Sequence, residues 1–229
     1  MFEFKKILLP TDFSEFSHRA MPYIIHWART FKCEVHLFHG EKEGHPENDA
    51  DPRFEPLKKE LEAEGLTVLT ASRSGIAPAP TIFHYAEENG IDLIIMATHG
   101  NRGMIRFFLG SVAEEVARTA PCSVLTLRTD EDPLLFWEKK TILVPTDFSR
   151  PSEIGVKVSA ELADHMAAKV HLVHIIESTV PPSLFMHGVR SYYEMIPELK
   201  ERTQTLMQKI IDQEFHGNGS YTVREGHVA

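Results

Sequence analysis

Cysteine is nearly absent: two residues, Cys33 and Cys122, in a chain of 229. Two thiols are too few for a disulfide framework, and Cys33 and Cys122 lack the close spacing of a zinc-binding pair, so neither a disulfide scaffold nor a zinc module is expected. Both are expected to be buried small hydrophobes in a protein of the reducing cytoplasm. No apolar run approaches the roughly 18–20 residues that a spanning helix needs, so no membrane role is expected. The opening MFEFKKILLP lacks a basic segment ahead of an apolar one and does not read as a signal peptide. Basic residues are also in deficit. The formal net charge of −9 is spread over both halves and argues against a nucleic-acid surface, because phosphates would be repelled. No lysine follows a glycine-rich loop in P-loop fashion and no nucleophile elbow occurs, so no catalytic residue is assigned.

What the chain does have is a repeat. KKILLPTDFS begins at Lys5 and KKTILVPTDFS at Lys139. Pro10-Thr11-Asp12-Phe13-Ser14 returns as Pro145-Thr146-Asp147-Phe148-Ser149, and at the same offset Val35-His36-Leu37 returns as Val170-His171-Leu172 and His39 as His174. Two matches in one register point to duplication of a whole domain, since the period far exceeds that of a solenoid repeat.

Each copy opens with a short apolar run, Ile7–Leu9 or Ile142–Val144, ended by Pro-Thr-Asp, the pattern of a buried parallel strand. A helix is predicted from about Ser17 to Phe31, matched by Pro151 to Met166. Second strands are predicted at Val35–His39 and Val170–Ile176. The first copy continues with a helix near Pro56–Glu64, a strand at Val68–Ala71, a helix at Thr81–Asn89, a strand at Asp92–Ala97, a helix at Ser111–Thr119 and a strand at Ser123–Leu127. The second continues with a helix over about Ser191–Glu214 and a strand at Tyr221–Arg224. Strands alternating with helices imply right-handed crossovers and a parallel sheet covered on both faces. The expected division is a domain over 1–129, a linker over 130–138 and a partial second domain over 139–229. By alignment Ala229 falls near Pro78, so the second copy is expected to lack the glycine-rich loop and the fourth and fifth strands of the first.

The segment richest in chemistry runs from Ala97 to Ser111, from the end of a predicted strand to the start of a helix, with Gly100, Gly103 and Gly110 along it. Ligands of open parallel sheets bind beyond the carboxyl ends of the strands. Glycines let a backbone approach phosphate closely, and a helix N-terminus offers free N–H groups and a favourable dipole. Two roles are open to Ser111: phosphate contact, or the N-cap of a capping box with Glu114 at N3. Asp12 is likewise open to ligand contact, to capping the first helix or to an Asx turn. Arg102 and Arg106 can pair with phosphate or remain solvated. Thirteen histidines raise the question of metal. His36 and His39, three apart on a strand, point to opposite faces and do not chelate together. His39 and His99 are expected at adjacent strand ends, where a weak metal or proton site is conceivable, but no metal ligand is assigned.

ILLPTDFS, DLIIMATHGNRG and LGSVAEEVARTAPCSVLTL together resemble the universal stress protein family over about the first 128 residues, and Lys140 to about Gly226 resembles the front of the same domain. The resemblance implies an α/β fold: an open five-stranded parallel sheet with helices on both faces, Rossmann-like and of the adenine nucleotide α-hydrolase-like type, here in tandem with an incomplete second copy. Some members bind ATP through Gly, two residues, Gly, nine residues, then Gly and Ser or Thr. Gly100 stands at the second glycine and Asn101–Leu109 are the nine residues before Gly110-Ser111, while Ala97 replaces the first glycine. The nucleotide-binding set implied is Pro10, Thr11, Asp12, Gly40, Ala97, His99, Gly100, Asn101, Arg102, Gly103, Gly110, Ser111 and Val112, with Pro10 to Asp12 beside the adenosine and Mg2+ or Mn2+ accompanying ATP. Gly40 stands where the family has a larger apolar residue against adenine, so a packing wall is expected to be missing. The implied function is an ATP-binding regulator of the stress response. The alternatives are a nucleotide-free scaffold or dimerisation module and, more weakly, a slow ATPase. Family members pair through the fifth strand, so a homodimer through Ser123–Leu127 is expected, or else a loosely packed second half.

Overall fold

A computed structural model of the chain describes residues 4–98, 110–128, 141–177 and 196–226. Two compact units result, one formed by the elements up to Arg128 and the other by those from Thr141 onward. The predicted linker lies outside the described residues.

The first unit contains strands β1 (Lys6–Pro10), β2 (Glu34–Lys42), β3 (Val68–Gly75), β4 (Leu93–Thr98) and β5 (Ser123–Arg128). Its helices are α1 (Glu15–His18), α2 (Met21–Phe31), α3 (Glu55–Ala63), α4 (Pro78–Asn89) and α5 (Ser111–Thr119). All strands are parallel in the order β3-β2-β1-β4-β5. Strand β1 is central, with Ile7 opposite both Val35 and Leu93, and Leu8 opposite both His36 and Ile94. Ile7, Leu8 and Leu9 are fully buried, and each contributes about 1.5–3 kcal/mol. Leu8, Phe38, Ala71, Ile94 and Met96 pack against Ile82 and Tyr85 of α4 and Val116 of α5. The alternate residues Ile7, Leu9, Val35, Leu37 and Ile95 are buried on the opposite face.

The single first helix expected from Ser17 is in fact two. Ser14 caps α1 through its side chain, and α1 ends at His18. Pro22 lies in the first turn of α2; it lacks an N–H and its ring clashes with the carbonyl four residues back, so one helix cannot run through. Elsewhere the strands run longer than predicted. β2 reaches Lys42 and β3 reaches Gly75, because backbone pairing continues beyond the apolar residues that mark a strand in sequence.

Outer strand β3 is covered along its free edge. Asp49 Oδ1 accepts the Ser72 N–H at 3.0 Å, Glu47 Oε1 accepts the Ser74 N–H at 3.1 Å, and Thr70 Oγ1 donates to the Asp49 carbonyl at 2.6 Å. Arg73 pairs with Asp49 at 2.5 Å and with Glu47 at 3.9 Å. Carboxylates from the β2–α3 connection thus occupy donors that would template a foreign strand.

His36 is 1% exposed, beneath α4. Its Nε2–H donates to Glu34 Oε1 and its Nδ1 accepts from the Tyr85 hydroxyl, both at 2.8 Å. Burial pushes its pKa below the usual 6.5, with Glu34 opposing only in part. The thiols of Cys33 and Cys122 are pushed up to about 11 by burial, with the Asp92 charge adding to it, so both stay protonated.

The second unit repeats the plan with β6 (Thr141–Pro145), α6 (Arg150–Met166), β7 (Lys169–Glu177), α7 (Pro197–Glu214) and β8 (Gly219–Gly226). Its parallel sheet runs β6-β7-β8. Ile142 faces Val170 as Ile7 faces Val35. Having no internal proline, α6 runs without a break. Val144, Val156, Leu172, Met207, Ile211 and Phe215 make its core. Leu143, counterpart of the fully buried Leu8, is 65% exposed; among the described residues no helix covers that face as α4 and α5 do in the first unit.

Two outcomes follow from this packing. Neutral His36 is favoured in the folded state, so the unfolded chain binds the extra proton as pH falls through about 6.5 and stability is lost in that direction. The denaturant midpoint of the first unit is expected to fall between about pH 7.5 and about pH 5, and to fall less in His36→Gln. Replacing both Glu47 and Asp49 by Ala bares the β3 edge, and concentration-dependent association in light scattering is expected.

Candidate functional site

A cavity of about 260 Å³ lies beyond the carboxyl ends of β1, β2 and β4, against the first turns of α4 and α5. On one side of β1 the chain crosses over by α2 and on the other by α4 and α5, so this is the point where strand order reverses and the strand ends diverge. Pro10, Thr11, Asp12, Gly40, Ala97, Gly110, Ser111 and Val112 all line it. His99, Gly100, Asn101, Arg102 and Gly103 lie outside the described residues. The cavity also takes His39 and, not singled out from the sequence, Phe38, Pro78, Ile82 and Met96.

The turn after β1 is closely tied. Thr11 continues the sheet, its N–H donating to the Phe38 carbonyl at 2.8 Å. Its Oγ1 accepts the Phe13 N–H at 2.9 Å and lies 2.9 Å from Ser17 Oγ. Asp12 forms an Asx turn, Oδ1 accepting the Ser14 N–H at 3.0 Å. Ser14, not Asp12, is the helix cap. Partial burial works to raise the Asp12 pKa, but hydrogen bonds from Ser14 and Ser17 outweigh it and hold the carboxyl below its usual range. Asp12 therefore brings a negative charge to the cavity.

At the other wall, α5 departs from the expected capping box. Gly110 is the N-cap, and Ser111 is already the first helical residue. No side chain caps this end; Glu114 N–H donates to the Gly110 carbonyl at 2.9 Å. The helix begins one residue before a Ser111 cap would allow, because Gly110 itself takes the extended cap conformation. The N–H groups of Ser111, Val112 and Ala113 have no intrahelical acceptor. All three residues line the cavity, and the helix dipole adds positive potential there.

Beside Gly40 lies the first turn of α4. A Cβ at Gly40 would lie 3.6 Å from Pro78 Cα, 3.9 Å from Pro78 Cβ and 4.0 Å from Phe38 Cε1. Gly40 and Pro78 both line the cavity. Ala97 is half-buried in β4, paired with Leu127, in extended backbone that does not demand glycine.

His39 and the end of β4 are not adjacent as expected, since β1 runs between β2 and β4. His99 itself lies outside the described residues. Among the described residues no group of three or more His, Cys, Asp or Glu is arranged to hold a metal ion. No helix of the described residues is long and apolar enough to cross a membrane.

A model of the universal stress protein family matches residues 3–128 and again 139–229. The chain belongs to the universal stress protein family. Universal stress protein MJ0531 of Methanocaldococcus jannaschii is 33% identical over 141 residues, which cover 55% of this chain and 82% of that relative. A universal stress protein of Archaeoglobus fulgidus shares the fold over 99% of this chain and 80% of its own, with a TM-score of 0.66 at 17% identity. A universal stress protein solved in complex with cAMP covers 56% of this chain and 98% of its own, with a TM-score of 0.47 at 22% identity.

Family membership places the strand-end cavity in context, but the apolar lining of this member was hidden in its sequence. Phe38, Ile82 and Met96 read there as ordinary core. Only the repeat of Phe13 and His39 as Phe148 and His174 marked residues of the turn.

Two glycines distinguish open from closed packing near the cavity. Gly40→Ala places its Cβ at ordinary contact distance and is expected to change stability by less than about 1 kcal/mol. Gly75→Ala drives its Cβ into Thr81 Oγ1 in the first turn of α4 and is expected to cost about 1–3 kcal/mol. Denaturant unfolding of the two variants checks the contrast.

Proposed function

We propose that the first unit binds an adenine nucleotide, ATP in the first instance, and that the protein acts as a nucleotide-responsive regulator of the stress response. One observation carries the reading. A helix N-terminus at Ser111–Ala113, whose N-cap Gly110 has no side chain to cap it, and the Asp12 carboxylate line the same cavity as the apolar side chains of Phe38, Pro78, Ile82 and Met96. The three features fit the three parts of a nucleotide. The flat base packs against Phe38, Gly40, Pro78 and Ile82, where burial of apolar surface drives binding. Ribose hydroxyls donate to Asp12. Phosphates meet the free N–H groups of α5, with His99 to Gly103 completing the cradle and Mg2+ or Mn2+ carried on the phosphates.

The domain division at 1–129 and 139–229 accompanies this reading, with nucleotide chemistry confined to the first domain. The second retains Thr146 and Asp147. There the Asp147 pKa is pushed down to about 2 by hydrogen bonds from Ser149 and Ser152.

A homodimer through β5 belongs to the same proposal. Of the two edge strands of the first sheet, β3 is covered by Asp49 and Glu47, which leaves β5 as the edge suited to pairing.

Calorimetric titration of the purified chain with ATP and Mg2+ tests the reading. Gly110→Asp serves as its partner variant: aspartate is a favoured N-cap, so the helix is kept while its donors are occupied and a negative charge faces the phosphates. Binding by the unaltered chain and a loss of about ten-fold or more in Gly110→Asp are expected. No binding at about millimolar ATP would overturn the proposal, and binding unaffected by Gly110→Asp would remove α5 from the site.

A further inference from the structure

The turn beside the cavity is built twice in this chain, and its geometry is nearly the same both times. His39 Nδ1 lies 2.6 Å from the Thr11 carbonyl, and His174 Nδ1 lies 2.7 Å from the Thr146 carbonyl. A carbonyl only accepts, so Nδ1 carries the proton in both. The Phe13 ring packs on His39 at 4.6 Å and 41°, and Phe148 on His174 at 4.5 Å and 42°. Phe13 and Phe148 hold φ of 60° and 62°, a left-handed conformation that strains a residue bearing a β-carbon. Such strain persists only where the surroundings fix it. Here the fixing contacts are the histidine, the threonine hydroxyl and the Asx turn.

The two copies differ in what surrounds the histidine. His39 Nε2 lies 3.4 Å from Glu41 Oε1. Glu41 pairs with Arg53, Arg53 also pairs with Asp51 at 2.6 Å, and the Arg53 guanidinium lies 4.6 Å over the Phe13 ring. His39, Glu41, Arg53 and Phe13 therefore close a ring of contacts behind the turn. In the second copy Ile176 stands where Glu41 does, and the charged arm is lost. Only the copy with the cavity carries the closed ring.

We propose that His39 is a positioning residue for the nucleotide, an inference that rests on the ATP-binding reading of the cavity. By holding the Thr11 carbonyl back toward β2, it fixes the direction in which Asp12 leaves the strand. The carboxylate is then presented to the ligand without a search among turn conformations, and the ordering cost falls on folding instead of on binding. His174 makes the same tie in the second unit, where among the described residues no counterparts of α4 and α5 stand over the turn, so it serves as the comparison for a purely structural role.

The duplication supplies the control. His39→Leu removes the donor. His39→Asn restores one, because the Asn amide N–H reaches approximately the place of Nδ1. His174→Leu makes the same structural lesion away from the cavity. In ATP titrations, His39→Leu is expected to bind about ten-fold more weakly, while His39→Asn and His174→Leu stay within about three-fold of the unaltered chain. Amide hydrogen exchange supplies an independent readout that needs no ligand. Protection of Phe13 and Ser14 is expected to fall in His39→Leu and to return in His39→Asn, and that of Phe148 and Ser149 to fall in His174→Leu. Should His39→Leu fail to fold, His39→Asn is compared with His39→Gln, whose longer amide misses the carbonyl and is expected to bind weakly. Unchanged ATP affinity in His39→Leu, or failure of His39→Asn to restore it, overturns the role while leaving the cavity assignment standing. Absence of ATP binding in the unaltered chain removes the nucleotide reading itself, and this role with it.

Discussion

The pairing of β1 with both β2 and β4 is the constraint on which the rest of the first unit depends. Ile7, Leu8 and Leu9 are fully buried because a strand lies on each side and helices lie on each face. That burial is possible only with parallel neighbours whose backbone groups satisfy those of β1. It has a geometric result. Crossovers leave β1 in opposite directions, so the chain cannot cover the carboxyl ends of the central strands, and a cavity remains there. Pro10 to Asp12 emerge at its floor because β1 ends there.

What fills the walls of that cavity is decided by helix starts. Helix α5 begins at Gly110 without a side-chain cap, and α4 begins with Pro78 packed on Gly40. One start leaves donors for an anion and the other supplies an apolar surface. In the second unit the β1 turn recurs while, among the described residues, the counterparts of α4 and α5 do not. Thr146, Asp147, Phe148 and Ser149 repeat the hydrogen bonds of their counterparts to within a few tenths of an ångström. They do so beside a sheet whose Leu143 face has no described helix over it. The turn is a property of the local sequence, whereas the cavity needs the two helices.

Much of the fold was legible in the sequence. The apolar runs at Ile7–Leu9 and Leu93–Ala97 are short, uninterrupted and followed by turn residues, and each became a parallel strand. The break between α1 and α2 was missed because the apolar spacing runs through Pro22 and outweighed the proline. The capping box at Ser111 was read one residue late, since Gly110 carries no side chain to announce itself as a cap. The ends of β2 and β4 were misread as adjacent because strand order is not written in strand succession. Residues such as Phe38, Ile82 and Met96 gave no signal, since an apolar residue at a cavity wall and one in the core are chemically alike.

The sequence by itself determined the duplication, the α/β alternation and the chemistry of the β1 turn. Identical segments impose identical local hydrogen bonds, and hydrophobic period is a local property. Only the tertiary structure decided that β1 separates β2 from β4, that Pro78 packs beside Gly40, and that His39 reaches back to the Thr11 carbonyl. These depend on contacts between residues distant in the chain, fixed by how the whole sheet packs against its helices. In the glycine-rich region the sequence marked Gly110-Ser111 as a place for phosphate or for a cap. Folding placed the cap on Gly110 and brought Ser111, Val112 and Ala113 to the cavity wall, because the end of β4 and the start of α5 meet there.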